Sequence, residues 1–177
     1  MASDERLLAE RSYATIDTKD LERLAVLAKD DRERFFSRHP RWQRLYSNRI
    51  VCVALCQGAA LHYIDGKNGI KDFDVWTFYA KHPRARFPRR PVVSRDFGPS
   101  KFGWSPLESN LAGRRVDLIG RSIPCDVGAD PLETIQRYLV QARTVSAQKL
   151  AEKAVVIIEP ANRLGTVAWS KGKPRMN

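Results

Sequence analysis

The chain has 177 residues, 43% hydrophobic and 29% charged, with a formal net charge of +11. That size favours one globular domain with a real core, and no apolar run approaches the roughly 20 residues of a membrane span. Three cysteines, an odd number, argue against a disulfide framework; the charged opening MASDERLLAERSY lacks the apolar stretch of a secretory signal, so the cytoplasm is the expected compartment and no membrane partner is expected.

Residues 18–38 carry Leu21, Leu24, Leu27 and Ala28 at helical spacing, and Asp20 is the expected cap. His39-Pro40 stops that helix, because the residue before proline is pushed out of the α region. A short helix is expected from Arg41 to about Ser47. Ile50 to Leu55 is an apolar, β-branched run and reads as a buried strand. Gln57-Gly58 breaks it, Ala59 to Ile64 opens a helix, and Asp65-Gly66 closes that helix. A second strand is expected over about Lys71 to Tyr79.

Residues 81–101 change character, with seven Lys/Arg, one Asp and four prolines. The prolines exclude a long helix, and Pro91 to Arg95 suits an edge strand. RRVDLIGRSI, 114–123, reads as a further strand. Pro131 after Asp130 starts a helix running to about Arg143, another helical piece leads to the strand VVIIEP, and the tail SKGKPRMN reads as disordered. The chain thus divides into an N-terminal helical segment (1–45), a core (46–125) with the basic insertion 81–101, and a C-terminal part (126–177). Its class is α/β or α+β, a short mixed sheet flanked by helices.

The stretch GIKDFDVWTFYA, 69–80, places two acids in an aromatic, β-branched strand. Side chains two apart on a strand share a face, so Asp72 and Asp74 stand side by side, with Phe73 and Val75 on the other face. Adjacent carboxylates repel unless a cation lies between them or one takes up a proton. Mg²⁺, which prefers hard oxygen ligands and substrate phosphates, is the natural partner. Asp117 lies inside another β-type run, between Val116 and Leu118. If the two strands are neighbours it joins the pair, and three carboxylates can hold two metals about 3.5–4 Å apart, an arrangement suited to in-line phosphoryl or nucleotidyl transfer. The competing readings are solvated acids that block edge pairing and an ion pair from Asp117 to Arg114, Arg115 or Arg121. Upstream, Gln57-Gly58-Ala59 puts free backbone N–H groups at a helix start, a device for phosphate.

Taken in order, Leu55-Cys56-Gln57-Gly58-Ala59, a twelve-residue gap, Asp72-Phe73-Asp74-Val75 and then Val116-Asp117-Leu118 resemble the nucleotidyltransferase superfamily, which includes DNA polymerase β, poly(A) polymerases, CCA-adding enzymes and minimal nucleotidyltransferases. The resemblance covers roughly 45–120. It implies that Gln57, Gly58 and Ala59 meet the triphosphate of an NTP, that Asp72 and Asp74 bind both Mg²⁺ (or Mn²⁺) ions, and that Asp117 binds the catalytic metal and helps activate an acceptor hydroxyl. The family most often has Gly-Gly or Gly-Ser where this chain has Gly58-Ala59. Alternatives are a nucleotidyltransferase-fold protein that binds nucleic acid or a protein partner without turnover, and a toxin- or antitoxin-type transferase.

The basic insertion has two readings, a solvated loop or a polyanion clamp. In the second, Arg84, Arg86, Arg89, Arg90 and Lys101 hold the triphosphate or a nucleic-acid acceptor, and Phe87, Phe97, Phe102 and Trp104 offer rings for bases. Cys52, Cys56 and Cys125 lack four-ligand zinc spacing, and no role in catalysis falls to His39, His62 or His82.

Overall fold

The computed structural model describes residues 11–105 and 108–172; the expectations for the first ten residues and the last five of the tail lie outside them. Helix α1 spans Thr18–Arg38 and turns Leu21, Leu24, Leu27 and Ala28 into the core, as their spacing requires. Its cap is Asp17 rather than Asp20. Asp17 accepts from the Asp20 backbone N–H and Asp20 accepts in return from that of Asp17, a reciprocal capping box. The helix bounds are those its spacing implied; Asp20 is the third helical residue and takes the acidic partner's place in the box, not the cap's. Helix α2, Pro40–Tyr46, follows after His39.

Strand β1, Ile50–Cys56, runs directly into helix α3, Gln57–Asp65, which ends on Gly66 at φ 67°. Strand β2 is Phe73–Ala80, β3 Val93–Asp96 and β4 Arg115–Ile123. Helices α4, Pro131–Gln141, and α5, Val145–Ala151, precede β5, Ala154–Glu159. Asp130 caps α4, with its side chain accepting from the Glu133 backbone, as the Asp-Pro pair implies. A short 3₁₀ turn leads to β6, Thr166–Ser170. The sequence reading had no strand there and began the tail at Ser170. Thr166 to Trp169 is too short to announce itself, and its pairing with β5 is what makes it a strand.

The six strands form one mixed sheet in the order β3-β4-β2-β1-β5-β6. Among the described residues only β2 and β4 pair in parallel; the other neighbours are antiparallel. The sheet is covered on one face by α1 and α3, packed on Phe73, Val75, Val116 and Val156. On the other face α4 and α5 pack on Trp76, Phe78, Val155 and Ile157. Two buried faces explain why β1 and β5 read as continuous apolar runs. The alternation along β2 puts Asp74 on the α4/α5 side. Ile70 does not share that side, as strand alternation extended backwards would have it. Gly69, at φ 71°, turns the chain, Ile70 bridges to Ser12, and its side chain enters the α1 core.

A third cluster sits where β2 ends. Tyr46, Tyr79, Phe36 and Phe87 are buried together, with Phe87 stacked on Tyr79 at 4.3 Å between centroids. Gly120 of β4 admits the Phe87 ring, since a Cβ there would lie 2.6 Å from it. Gly120→Ala is therefore expected to cost about 1–2 kcal/mol by overpacking, measured by urea denaturation. An unchanged midpoint would mean that Phe87 moves aside freely.

No helix among the described residues is long and apolar enough to cross a membrane.

Candidate functional site

The starts of β2 and β4 bring the acids together. Because the two strands are parallel neighbours, Asp74 and Asp117 are register partners, and Cys56 lies opposite Asp74 on β1. Adjacent strands lie about 5 Å apart, so the two carboxylates share one patch of sheet, with Asp72 just before it. The patch is on the α4/α5 face but beyond the apolar cover of those helices.

The electrostatics follow from that crowding. The carboxyl of Asp74 is pushed up to about 6 by burial first, then by the charges of Asp72 and Asp117; Lys153 and Arg115 oppose the rise. Burial likewise raises the Cys56 thiol, with Asp74 adding to it. Among the described residues four carboxylates (Asp72, Asp74, Asp117 and Glu108) meet here with three side-chain cations, Arg115, Lys153 and, beside Asp72, Arg114. The excess is negative.

Asp117 is 6% exposed and its oxygens are already engaged. Arg115 grips it as a fork, Nε to Oδ1 at 2.8 Å and Nη2 to Oδ2 at 2.7 Å. Ser94 of β3 donates its hydroxyl to Oδ1 at 2.7 Å. The third Arg115 arm reaches Glu108 at 2.6 Å. This is the ion pair that the sequence left open among three arginines, and Arg115 is the one, because residues two apart on a strand share a face.

Among the described residues no three His, Cys, Asp or Glu side chains are arranged to hold a metal ion. The donor chemistry nonetheless suits a hard divalent cation. The oxygens are carboxylate, burial and then their mutual repulsion raise the proton affinity of Asp74, and added positive charge would relieve the repulsion. Arg115 supplies part of that charge by engaging both oxygens of Asp117.

Beside the acids, β1 turns into α3 through Gln57, whose φ of 61° is strained for a residue with a side chain. Helix α3 starts directly at the end of β1 without a side-chain cap, so its first backbone N–H groups lack intrahelical partners. Gly58 lies against Asn68, which donates to its carbonyl at 3.1 Å, and a Cβ at Gly58 would be 4.0 Å from Lys153 Nζ. Ala59 is 3% exposed and its methyl belongs to the α1 core, so the backbone N–H is what it can offer a phosphate. Lys153, at the entry to β5, was not singled out in the sequence. Nothing local marks it, and only the pairing of β5 with β1 carries it to Gly58 and Asp74.

The predicted basic ligands are elsewhere. Lys101 pairs with Asp17 and Asp20 at the start of α1, both at 2.9 Å. Arg90 pairs with Asp31 at 2.7 Å and lies over the Phe35 ring. Arg84, Arg86 and Arg89 are exposed on the segment after β2. From Asp74 to the end of β2 is six residues, about 20 Å at strand rise, so none of the three meets a triphosphate seated at Gly58. Of the insertion's aromatics, Phe87, Phe97 and Phe102 are buried, and only Trp104, 67% exposed, is open to a base.

His62 is a structural residue. Its Nδ1 accepts from the Gly69 backbone and its Nε2 faces the Ala14 carbonyl, both at 3.0 Å. A cavity of about 10 Å³, the room of one water, lies on the α1 face between Arg32, Thr77 and Tyr79, across the sheet from the acids. Comparison of the chain with protein-family models, with curated proteins and with solved structures finds no match, so the chemistry of this site is argued from its own residues.

Proposed function

We propose that the chain is a nucleotidyltransferase-like protein that transfers NMP from an NTP to an acceptor hydroxyl. The observation that carries the reading is the side-by-side register of Asp74 and Asp117, with Asp72 before them and the Gly58 turn beside them. In this reading Asp72, Asp74 and Asp117 hold Mg²⁺ or Mn²⁺, which when bound would neutralise charge on the reacting phosphate and acidify the acceptor hydroxyl. Backbone N–H groups at Gln57, Gly58 and Ala59, with the Lys153 ammonium, receive the triphosphate. The acceptor oxygen bonds to the α-phosphorus as the bond to the β-phosphate oxygen breaks. Pyrophosphate leaves with that electron pair, and the hydroxyl proton passes to a carboxylate, the role the resemblance gives to Asp117.

The test is transfer of α-labelled NTP to a panel of RNA, protein and small-molecule acceptors with Mg²⁺. Label on one acceptor, lost in Asp117→Asn, is the expected result. No label on any acceptor, together with no Mg²⁺-dependent stabilisation by NTP, would sink both catalysis and nucleotide binding.

A second reading is supported by the Arg115–Asp117 fork, which puts a side-chain cation where a metal would be needed. In it the scaffold binds without turnover. Thermal stabilisation by NTP without label transfer would select this reading.

A further inference from the structure

The positive charge of the chain is concentrated at the end of the sheet away from the acids, and two acid-free segments build it. Residues 34–49 contain five arginines and no Asp or Glu; residues 81–95 contain five arginines, one lysine and no Asp or Glu. They are distant in sequence, and the Tyr46 hub joins them. The Tyr46 hydroxyl donates to the Ala85 carbonyl and accepts from the His82 backbone N–H. Its ring packs edge-on against Tyr79 and Phe87, and Phe35 of α1 packs on Phe87. Arg49 adds a bond to the Lys81 carbonyl. The basic segments are therefore held on a rigid aromatic base.

Asp31 neutralises Arg90 and approaches Arg95, and Glu33 is taken by Lys29. Arg34 and Arg38 of α1, Arg41 and Arg44 of α2, and Arg84 and Arg86 remain exposed, with no ion pair among the described residues. Like charges crowded in this way repel and lower stability unless an anion covers them.

We propose that this surface is a docking site for the phosphodiester backbone of single-stranded nucleic acid. Ten of the eleven cations are arginine, whose planar fork matches phosphate oxygens in pairs, where a lysine offers only a point charge. Rings stand among them. Trp42 is half-buried beneath Arg41, and the exposed His39 packs at a tilt against Phe35. Such rings offer faces to bases without reading sequence. A free nucleotide is too small to use the whole patch, whereas a polymer covers it. A membrane surface is disfavoured because, among the described residues, Val92 is the only large apolar side chain exposed within the two segments, too little for an inserting wedge. The inference does not depend on turnover at the acids, which lie about 20 Å away along β2.

The experiment is fluorescence anisotropy of the full chain with a labelled single-stranded RNA of about 16 nucleotides, the upper end of such site sizes. With about five phosphates engaged, raising salt from about 50 to about 200 mM should weaken binding on the order of 100-fold. The triple variant Arg38→Glu, Arg41→Glu, Arg86→Glu should lose at least about tenfold in affinity and show a shallower salt slope. The control Arg137→Glu, Arg143→Glu, Lys149→Glu changes net charge equally on exposed positions of the α4/α5 side and should bind nearly as wild type. Matching circular dichroism and melting for both variants keeps the comparison fair. Equal loss in both variants, or wild-type binding by the first, overturns the proposal. So does binding to phosphatidylserine vesicles with none to RNA.

Discussion

Asp74→Asn is expected to abolish NMP transfer and, at the same time, to make the protein more stable at pH 7.5. The two effects have one cause. Asp74 sits with Asp72 and Asp117 in a partly buried patch, and its carboxyl is raised to about 6 from the ordinary 3.8. A carboxylic acid whose pKa is higher in the folded state binds its proton more tightly there. Below about 4 the group is protonated folded and unfolded, and no penalty exists. As pH rises from about 4 to about 6 the unfolded chain ionises first and the folded state falls behind. Above about 6 the deficit is complete, with an upper bound of about 3 kcal/mol. Partial exposure of the patch and loss of the attraction to Lys153 reduce what Asn recovers, to about 1–2 kcal/mol. For a chain of this size that is a rise of about 2–8 °C in Tm. The rise should disappear by pH 4. Transfer should fall on the order of a thousandfold, the several kcal/mol that a metal-bound phosphate oxygen represents. Melting curves across pH 4–8 read the first effect and label transfer the second. A lower Tm for the variant at pH 7.5 would show that the Asp74 carboxylate is a stabilising partner, contrary to this account.

Part of this site was legible because strand periodicity is local information. Asp74 facing away from Phe73 and Val75, Asp117 inside an apolar run and the Gly58 break are each visible within ten residues. The adjacency of β2 and β4 was an assumption in the sequence, and the parallel register supplies it. What stayed hidden depends on contacts between distant segments. Lys153 reaches the site only because β5 pairs with β1. Asp17, not Asp20, caps α1 because the capping box uses both acids, and composition ranks them equally. The basic insertion was read either as a solvated loop or, from its charge and interleaved rings, as a clamp on the triphosphate or a nucleic-acid acceptor. Charge carries no address, and Phe87 stacked on Tyr79 fixes the first half of the segment at the far end of β2. The same ring contact explains why Phe87 is not available to a base. The N-terminal helical segment carried no assigned role in the sequence, yet it supplies α1 as one cover of the sheet and, through Arg34, Arg38, Arg41 and Arg44, part of the proposed docking surface.

Arg115→Ala gives the second large effect, and its dependence on metal separates the two readings of the acids. Arg115 satisfies both oxygens of a buried aspartate and one of Glu108. Removing one partner of a buried pair leaves an uncompensated charge and costs about 3–5 kcal/mol when both are fully buried. The arginine side chain is 35% exposed, so the cost here is expected to be nearer 2–3 kcal/mol, a fall of about 5–10 °C in Tm without divalent cations. Asp74 should rise further in pKa, since Arg115 is one of the two cations that hold it down. The loss also frees Asp117 to turn toward Asp74. If the three aspartates form a cation site, Mg²⁺ at about 100 times its Kd adds about 2.7 kcal/mol and offsets most of the damage. Wild-type protein, with Arg115 already in place, should gain less from the same Mg²⁺. The measurement is Tm with Mg²⁺ and with EDTA for both proteins, at matched ionic strength to remove screening. A variant that stays equally destabilised in Mg²⁺ and in EDTA would show that Arg115 is the permanent counter-charge of Asp117, and the binding-only reading of the scaffold would then stand.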